Sequence, residues 1–301
     1  MRVTLIHNPG AGNRSKIDPG KLTKLVRDAG HEVSYQSAKE DWRAALDAPA
    51  DLVAVAGGDG TVSRVAKAMA GRGTPMTVLP AGTANNIART LGLTHRPLED
   101  LVQGWAQARR AKLDLGVAHG PWGERCFIEG VGIGLFPARI SHVDRNQTIE
   151  SLERGDAIVS YALQLLKEEL ERCRPVHVEA SVDGQDVSGD YLLFEALNIP
   201  FVGPNLFLAP DSAQGDGNFD LVMVRDAERE RLDHYLAHWR EDKPRLAVLP
   251  SVQGRTLRLE WTGFDVHIDD ELCRSPAARS RIELRIEARA VQVLVPAAKQ
   301  K

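Results

Sequence analysis

Three glycines and one aspartate, placed directly after an apolar run, form the stretch of this chain best suited to phosphate chemistry. Residues 52–56 are all apolar, which is typical of a buried parallel strand. Gly57, Gly58 and Gly60 follow, and Asp59 is the only side chain among them. Because glycine lacks a Cβ, a ligand can approach the backbone closely at such a turn.

The next segment, 61–70, has helical spacing of its apolar residues. The glycines would then lie at a helix start, where free N–H groups attract phosphate. This predicts a nucleotide-phosphate site with the Asp59 carboxylate beside it. The alternative is a plain strand-to-helix turn in which Asp59 caps the helix.

Two more loops have the same character. A predicted strand at 2–8 leads into the loop 8–12, and another at 76–79 leads into the loop 80–86. Strand 31–36 lies between predicted helices that cover 21–29 and begin at 42–46, and a further helix is predicted at 87–91. This alternation predicts an α/β domain with a doubly wound, Rossmann-like parallel sheet. Ligands bind at the carboxyl ends of such strands, where all three loops fall.

The pattern changes after a predicted helix at 97–109. Short β-like runs then predominate, and they are predicted at 113–117, 126–130, 176–182, 191–199, 219–224, 256–261, 265–268, 282–287 and 291–295. Helices are predicted at 156–172 and 227–241. We therefore expect two domains: a nucleotide-binding α/β domain over 1–111 and an antiparallel β-sandwich over 112–301.

Composition narrows the class of protein. The 301 residues carry a formal net charge of -3, from 38 basic and 41 acidic residues, so the charge balance gives no case for nucleic-acid binding. Cys126, Cys173 and Cys273 lie far apart and form no CxxC pair, which indicates free thiols in a reducing compartment such as the cytoplasm. No signal-peptide pattern and no apolar run near the ~20 residues of a membrane span is visible.

Neither a Walker A motif nor a GxGxxG fingerprint occurs, so phosphate must be held in another way. The motifs NPGAG at 8–12, GGDGT at 57–61 and PAGTANNIAR at 80–89 resemble, in this order, those of the diacylglycerol kinase catalytic-domain family, which includes sphingosine kinases and bacterial lipid kinases. The similarity continues through LDLG at 113–116, GVGIG at 130–134, APDSAQGDGNFDL at 209–221 and IDDE at 268–271.

This resemblance implies an enzyme that transfers the γ-phosphate of ATP to a lipid hydroxyl in a cleft between the two domains. It implies that Asp59 is a catalytic residue that binds nucleotide-associated Mg²⁺, which prefers carboxylate oxygens. It also implies a set of residues that line the nucleotide side: Asn8, Gly57, Gly58, Gly60, Thr61, Gly82, Thr83 and Asn85.

The acidic turn near the end is the implied acceptor side. By the resemblance, Asp269 is the general base and Glu271 a second catalytic carboxylate, while Asp270 replaces the glycine usual between them. Three adjacent carboxylates repel one another, which would raise the pKa of one of them. The alternative is a solvated acidic turn.

Two other regions carry implied roles. Asp216 and Asp220, with Asp211 nearby in sequence, match a segment in which family members bind a structural Mg²⁺; an Asp-Gly turn is the alternative. Phe136 stands where the family often has an aspartate that holds the acceptor's head. Another polar group then holds the head, the acceptor differs from diacylglycerol and sphingosine, or Phe136 belongs to the core.

Two rival functions stay open. An NAD kinase shares GGDGT, but the Asn-Glu pair of that family is absent from this sequence. A catalytically weak nucleotide- or lipid-binding protein is conceivable because of Phe136 and Asp270. The sequence leaves the acceptor lipid and the oligomeric state open, a homodimer included. We expect a cytoplasmic enzyme of phospholipid metabolism that touches the membrane surface transiently to reach its lipid.

Overall fold

The computed structural model describes residues 1–12, 17–138, 155–239, 249–274, 276 and 278–297. The α-helices are α1 (Pro19–Asp28), α2 (Asp59–Met69), α3 (Asn86–Thr90), α4 (Leu98–Gln103), α5 (Gly155–Arg172) and α6 (Arg229–His238), and 3-10 turns occur at Ala44–Leu46, Gly104–Gln107 and Asp226–Glu228.

The strands of the first half are β1 (Arg2–His7), β2 (Glu32–Ser37), β3 (Leu52–Gly57), β4 (Met76–Pro80), β5 (Arg109–Gly120), β6 (Gly123–Phe127) and β7 (Gly130–Gly134). Those of the second half are β8 (Val176–Val182), β9 (Gln185–Asp186), β10 (Gly189–Tyr191), β11 (Leu193–Leu197), β12 (Phe201–Val202), β13 (Leu206–Phe207), β14 (Phe219–Val224), β15 (Ser251–Gly254), β16 (Thr256–Trp261), β17 (Val266–Ile268), β18 (Glu271–Cys273) and β19 (Ser280–Val295).

The amino-terminal half contains the expected parallel sheet. Its order is β4-β3-β1-β2, and all three pairings are parallel. All six residues of β3 are buried, because helices cover the central strands on their faces. Leu22 and Val26 of α1 and Val62 and Val65 of α2 join this core. The carboxyl ends of β1, β3 and β4 therefore meet at one edge of the sheet.

The carboxyl-terminal half is an antiparallel β-sandwich, as predicted. One sheet has the order β15-β14-β11-β7-β17-β18, and the other contains β5, β6, β8, β16 and part of β19. A core that includes Phe127, Phe194 and Phe219 fills the space between the sheets. The first of these sheets also packs its other face against α5 and α6, through side chains such as Leu166 and Leu236.

Strand β19 connects the two halves. Its residues Ile282 and Leu284 belong to the sandwich core, whereas Val291 and Val293 belong to the core of the parallel domain. Val293 pairs with Met76 of β4 in parallel. A shift in register between 287 and 291, where Arg289 has φ 59°, marks where β19 passes from the sandwich part to the parallel part of one continuous sheet.

Four sequence predictions of secondary structure need correction. The helix expected to begin at 42–46 is only a 3-10 turn, the strand 191–199 is interrupted at Leu192, and the strands 282–287 and 291–295 are one bulged strand. The fourth case is the strand predicted over 126–130: β6 ends at Phe127, and the glycine-rich segment 130–134 that follows is a separate buried strand. The helix expected over 227–241 ends at His238, and its residues 240 and 241 lie outside the described residues.

Candidate active site between the two domains

The three glycine-rich loops meet at the carboxyl edge of the parallel sheet. The Asn8 side-chain amide donates to the Thr61 hydroxyl over 3.0 Å, which ties the first loop to the start of α2. An ideal Cβ built on Gly82 would lie 2.4 Å from the Cα of Gly58. The second and third loops therefore touch backbone to backbone, which only glycine permits. Gly57 and Gly60 flank this contact on β3 and α2.

The third loop holds its shape through Asn85. This residue has a left-handed backbone, with φ 54°, and its side chain both accepts from Gly82 N (2.9 Å) and donates to Gly82 O (2.7 Å). Asparagine tolerates the left-handed region better than most residues. Thr83 lies inside the loop that Asn85 closes in this way.

Asp59 is the first residue of α2, and its carboxylate points to the next helix. Its Oδ1 accepts a hydrogen bond from the backbone N–H of Ile87 in α3 over 3.0 Å. Burial raises the pKa of Asp59, and the backbone N–H groups of 85–87 oppose this rise. Asp59 thus caps α3 rather than its own helix, and it still lines the cleft between the domains.

Asp269 lies across the same cleft, with a left-handed backbone (φ 51°) and a side chain that is 4% exposed. Its Oδ2 contacts Lys67 Nζ at 2.6 Å and accepts from Ser63 Oγ at 2.7 Å, and both partners belong to α2. Its Oδ1 accepts from the backbone N–H groups of Ile128 (3.1 Å) and Glu129 (2.8 Å). The Asp269 carboxylate therefore connects the two domains as an ion-paired and hydrogen-bonded anion.

The other two acidic residues of the turn face different surroundings. Asp270 lines the cleft opposite Gly60, whose ideal Cβ would lie 3.0 Å from Asp270 Oδ2. Glu271 points away from it: its side chain is 72% exposed and pairs with Arg125 at 3.2 Å. The structure thus brings Asp59 and Asp269 to one cleft with Asp270, and it leaves Glu271 outside the residues that line it.

Glu129 is a cleft residue that the sequence reasoning did not single out. It lies between β6 and β7, and its Oε2 accepts from the Asn86 side-chain amide over 3.1 Å. Burial raises the pKa of Glu129 well above its usual range, and the carboxylates of Asp59 and Asp269 raise it further. The only sequence signal was its place directly before GVGIG. Lys39 also lies near the first glycine-rich loop, because its Nζ would be 3.5 Å from a Cβ on Gly10.

A buried His–Glu pair is hydrogen-bonded to the backbone of the acidic turn. His267 Nδ1 donates to the carbonyl oxygen of Asp269 over 2.8 Å, and His267 Nε2 lies 2.9 Å from the Glu195 carboxylate. Burial lowers the pKa of His267, but the Glu195 charge and the hydrogen bonds outweigh burial, so the net pKa is raised. The pair holds the carbonyl group of a residue whose backbone is left-handed.

The cleft contains a cavity of about 310 Å³ with two chemically different ends. The carboxyl groups form one end: the charges of Asp59, Asp269 and Asp270 all act on Glu129, and Gly60 of the glycine loops lies beside Asp270. The other end is apolar, and its side chains are Phe136, Ala162, Leu166, Val202 and Pro204. Phe136 is 6% exposed and contacts His267 edge-on at 5.9 Å between ring centroids, so it belongs both to the core and to the cavity wall.

The segment implied as a structural cation site holds Asp220 on β14, where it is buried and accepts from Gln253 over 3.1 Å. Burial raises the pKa of Asp220, to which Asp216 and Asp211 contribute through their charges. Asp216 caps its own turn by accepting from Asn218 N over 2.9 Å. Across the described parts of the chain, no three His, Cys, Asp or Glu side chains are grouped so that they could hold a metal ion.

Comparison with known proteins identifies the class of this fold and site. Residues 2–118 match the model of the diacylglycerol kinase catalytic domain, and residues 141–295 match that of the YegS C-terminal NAD kinase beta sandwich-like domain. The chain belongs to the family that combines these two domains, which is a family of lipid kinases, and the sequence-based prediction of fold and enzyme class is confirmed.

Two curated relatives carry the name diacylglycerol kinase. The chain is 27% identical to the one from Mycobacterium tuberculosis (strain ATCC 25618 / H37Rv) over 309 aligned positions, which cover 98% of this chain and 95% of the relative. It is 29% identical to the one from Bacillus subtilis (strain 168) over 235 positions, covering 75% and 74%.

Among solved structures, a diacylglycerol kinase from Bacillus anthracis str. Sterne has the same fold, with a TM-score of 0.73 at 19% identity over 98% of this chain and 96% of that one. These matches do not favour the NAD kinase alternative. In the described part of this chain, every helix is too short or too polar to cross a membrane.

Proposed function

We propose that this protein is an ATP- and Mg²⁺-dependent lipid kinase that transfers the γ-phosphate to a lipid hydroxyl inside the interdomain cleft. The observation that carries this proposal is the two-ended cavity. Its acidic end adjoins the glycine loops, and its apolar end can cover the start of a hydrocarbon chain. A lipid placed with its tail at the apolar end would present its hydroxyl to the phosphate loops.

The donor side is the carboxyl edge of the parallel sheet. Backbone N–H groups at the start of α2, the contact of Gly58 with Gly82, and the Asn8–Thr61 bond form a cradle that fits phosphate groups. Asp59 would hold Mg²⁺ together with the nucleotide, because its carboxylate is a hard oxygen donor beside that cradle. When bound, Mg²⁺ neutralises charge on the transferring phosphoryl group.

The acceptor side is the acidic turn. The hydroxyl oxygen of the lipid attacks the γ-phosphorus, a new P–O bond forms, the bridging bond to the β-phosphate breaks, and ADP leaves. The hydroxyl proton passes to a carboxylate, a role that the family resemblance implies for Asp269 with Glu271 as a second acid. Asp269 can take it only in place of a present donor such as Ser63, because a carboxylate offers about four acceptor positions.

A lipid acceptor implies that the protein works at a membrane surface. We propose a peripheral and transient contact from the cytoplasm, in which the lipid is drawn into the cavity. Diacylglycerol is the first acceptor to test, since the relatives above are named for it.

A catalytically weak nucleotide- or lipid-binding protein remains the second candidate, and the full set of donors around Asp269 favours it. Such a protein would bind ATP, measured by calorimetry, without forming a phosphorylated lipid.

The test uses labelled ATP and mixed micelles of diacylglycerol with wild-type protein and Asp59→Asn. We expect the variant to lose at least about 100-fold in kcat, because an electrostatic partner of the phosphates is gone. The matched control is Asp51→Asn at the opposite end of β3, an exposed partner of Arg2, and it should keep full activity. The proposal fails if wild type labels no lipid or if Asp59→Asn labels it equally well.

A further inference from the structure

Glu129 is held more precisely than a surface carboxylate would be. Its backbone N–H donates to Asp269 Oδ1 over 2.8 Å, and its carbonyl oxygen accepts from Asn198 N over 2.8 Å. Asn198 in turn donates its side-chain amide to the carbonyl oxygens of Asp114 on β5 and of Ile128, next to Glu129. The backbone of Glu129 is therefore fixed at the junction of the two domains.

The Glu129 carboxyl group differs from that of Asp269 in its free acceptor capacity. The Asp269 side chain receives hydrogen bonds or ion pairs from Lys67, Ser63 and three backbone N–H groups. Among the described residues, the Glu129 side chain accepts one hydrogen bond, from Asn86. Since a carboxylate accepts about four, Glu129 retains positions for a ligand group in the cavity that it lines.

The position of Glu129 matches the place of an acceptor hydroxyl. The group lies in the acidic end of the cavity with Asp59, whose loop forms the donor side, and the apolar wall begins at Phe136. A hydroxyl that reaches the donor phosphates from the apolar end must enter this acidic end. Hydrogen bonding to a buried carboxyl group would then orient it for attack.

Charge in the cavity restricts the acceptor further. Carboxyl groups of Asp59, Glu129, Asp269 and Asp270 line this end, and the nearby cations Lys67 and Arg89 face Asp269 and Asp59, respectively. Among the described residues, an anionic head group would find these two cations already facing carboxyl groups, which makes its entry costly at a desolvated site.

We propose that Glu129 binds the acceptor hydroxyl and that its carboxyl group excludes acceptors with an anionic head group. This inference rests on the proposed lipid kinase function and adds to it the residue that recognises the acceptor. Phe136 stands where the family often has an aspartate and has no carboxyl group to bind the acceptor. Glu129, in the connection between β6 and β7, binds the acceptor instead.

The test compares diacylglycerol with phosphatidylglycerol of the same acyl chains, in neutral detergent micelles, at saturating ATP. Wild type should phosphorylate diacylglycerol with at least about 100-fold higher kcat/KM. Glu129→Ala should raise the KM for diacylglycerol at least about 10-fold and leave the KM for ATP within about 2-fold, as expected for loss of one buried hydrogen bond. Glu129→Gln keeps the shape and removes the acidic group, so it should reduce the preference for diacylglycerol at least about 10-fold.

Glu124→Gln on β6 serves as the control, because its side chain is exposed and pairs with Arg285, and it should behave as wild type. A KM for diacylglycerol that Glu129→Ala leaves unchanged overturns the inference, as does an unchanged lipid preference in Glu129→Gln. The Gln variant keeps the test valid if the Ala variant does not fold. These results are distinct from failure of the proposed function, in which wild type itself phosphorylates neither lipid.

Discussion

At the scale of single residues, two neighbouring carboxyl groups of the cleft have very different surroundings. Asp269 is surrounded by donors and a lysine, whereas Glu129 is buried beside other carboxylates with one amide donor. Burial and the neighbouring carboxyl groups oppose an anion at Glu129. Functional sites often keep such a costly group because catalysis or binding needs it.

Glu129 should therefore lower the stability of the protein at neutral pH. Its pKa in the folded state lies well above the ordinary 4.5, so the folded protein holds the proton more tightly than the unfolded chain. The contribution of this group to stability is then greatest below about pH 4.5 and falls as the pH rises toward the folded pKa. Because glutamine does not titrate, Glu129→Gln removes this pH-dependent loss of stability.

We expect Glu129→Gln to raise the unfolding free energy by about 1–2 kcal/mol at pH 7.5, the range typical of relieving a functional-site cost. The gain should shrink toward zero near pH 4.5, and urea unfolding at both pH values measures it. Glu124→Gln should change the unfolding free energy by less than ~0.5 kcal/mol at either pH. A loss of stability at pH 7.5, or a gain independent of pH, would contradict the burial argument.

At the scale of elements, β7 shows why glycines occupy the middle of a sheet. An ideal Cβ on Gly132 would lie 1.6 Å from Glu195 Oε2 and 2.7 Å from His267 Nε2. Strands β11 and β17 flank β7, so the space that Gly132 leaves open holds the buried His267–Glu195 pair under the acidic turn. The glycine is a packing requirement of the site.

Gly132→Ala should therefore destabilise the protein by about 3 kcal/mol or more, because overpacking separates a buried pair. Differential scanning calorimetry of this variant should show a Tm lowered by several degrees. Gly73→Ala is the matched control, since nothing lies within 4 Å of its ideal Cβ and its φ is not positive. Equal Tm values for the two variants would show that Glu195 can move away freely.

The sequence predicted those elements whose side chains carry a regular pattern. Strand 176–182 alternates along its length and was predicted with its true bounds. Segment 130–134 has three glycines and no usable periodicity, so its strand became evident only from its neighbours in the sheet. The helix predicted to begin at 42–46 is only the 3-10 turn Ala44–Leu46, because apolar residues at helical spacing do not fix the length of a helix.

The candidate site was only partly accessible from sequence for a similar reason. Motifs identified the loops with Asp59 and Asp269, which the fold brings to one cleft. Glu129 has no motif of its own, and its importance depends on burial beside residues distant in sequence. The outward direction of Glu271 depends on the tight turn between β17 and β18, in which Ile268 pairs with Glu271 and consecutive side chains point to opposite faces.

At the scale of the whole molecule, the cleft is closed by contacts between α2 of the parallel domain and the sandwich. Lys67 and Ser63 on one side hold Asp269 on the other, and β19 runs through the cores of both halves. Donor and acceptor sites built on different domains thus keep a fixed distance.

Lys67→Met should weaken this connection. It leaves the Asp269 carboxylate, 4% exposed, without its cation, and we expect a loss of about 3 kcal/mol in urea unfolding at pH 7. Lys24→Met removes an exposed i,i+4 pair with Asp28 and should cost under ~0.5 kcal/mol. If both variants lose the same amount, Lys67 does not stabilise the interface.

The central claim is that one cleft holds a phosphate donor and a lipid hydroxyl together. It is tested most directly by incubating the protein with diacylglycerol and ATP in which all γ-phosphate oxygens are ¹⁸O, followed by mass analysis of the extracted lipid. We predict phosphatidic acid with three heavy oxygens and a light ester oxygen, because the lipid oxygen attacks phosphorus. Unchanged diacylglycerol, with or without release of labelled inorganic phosphate, would contradict the claim.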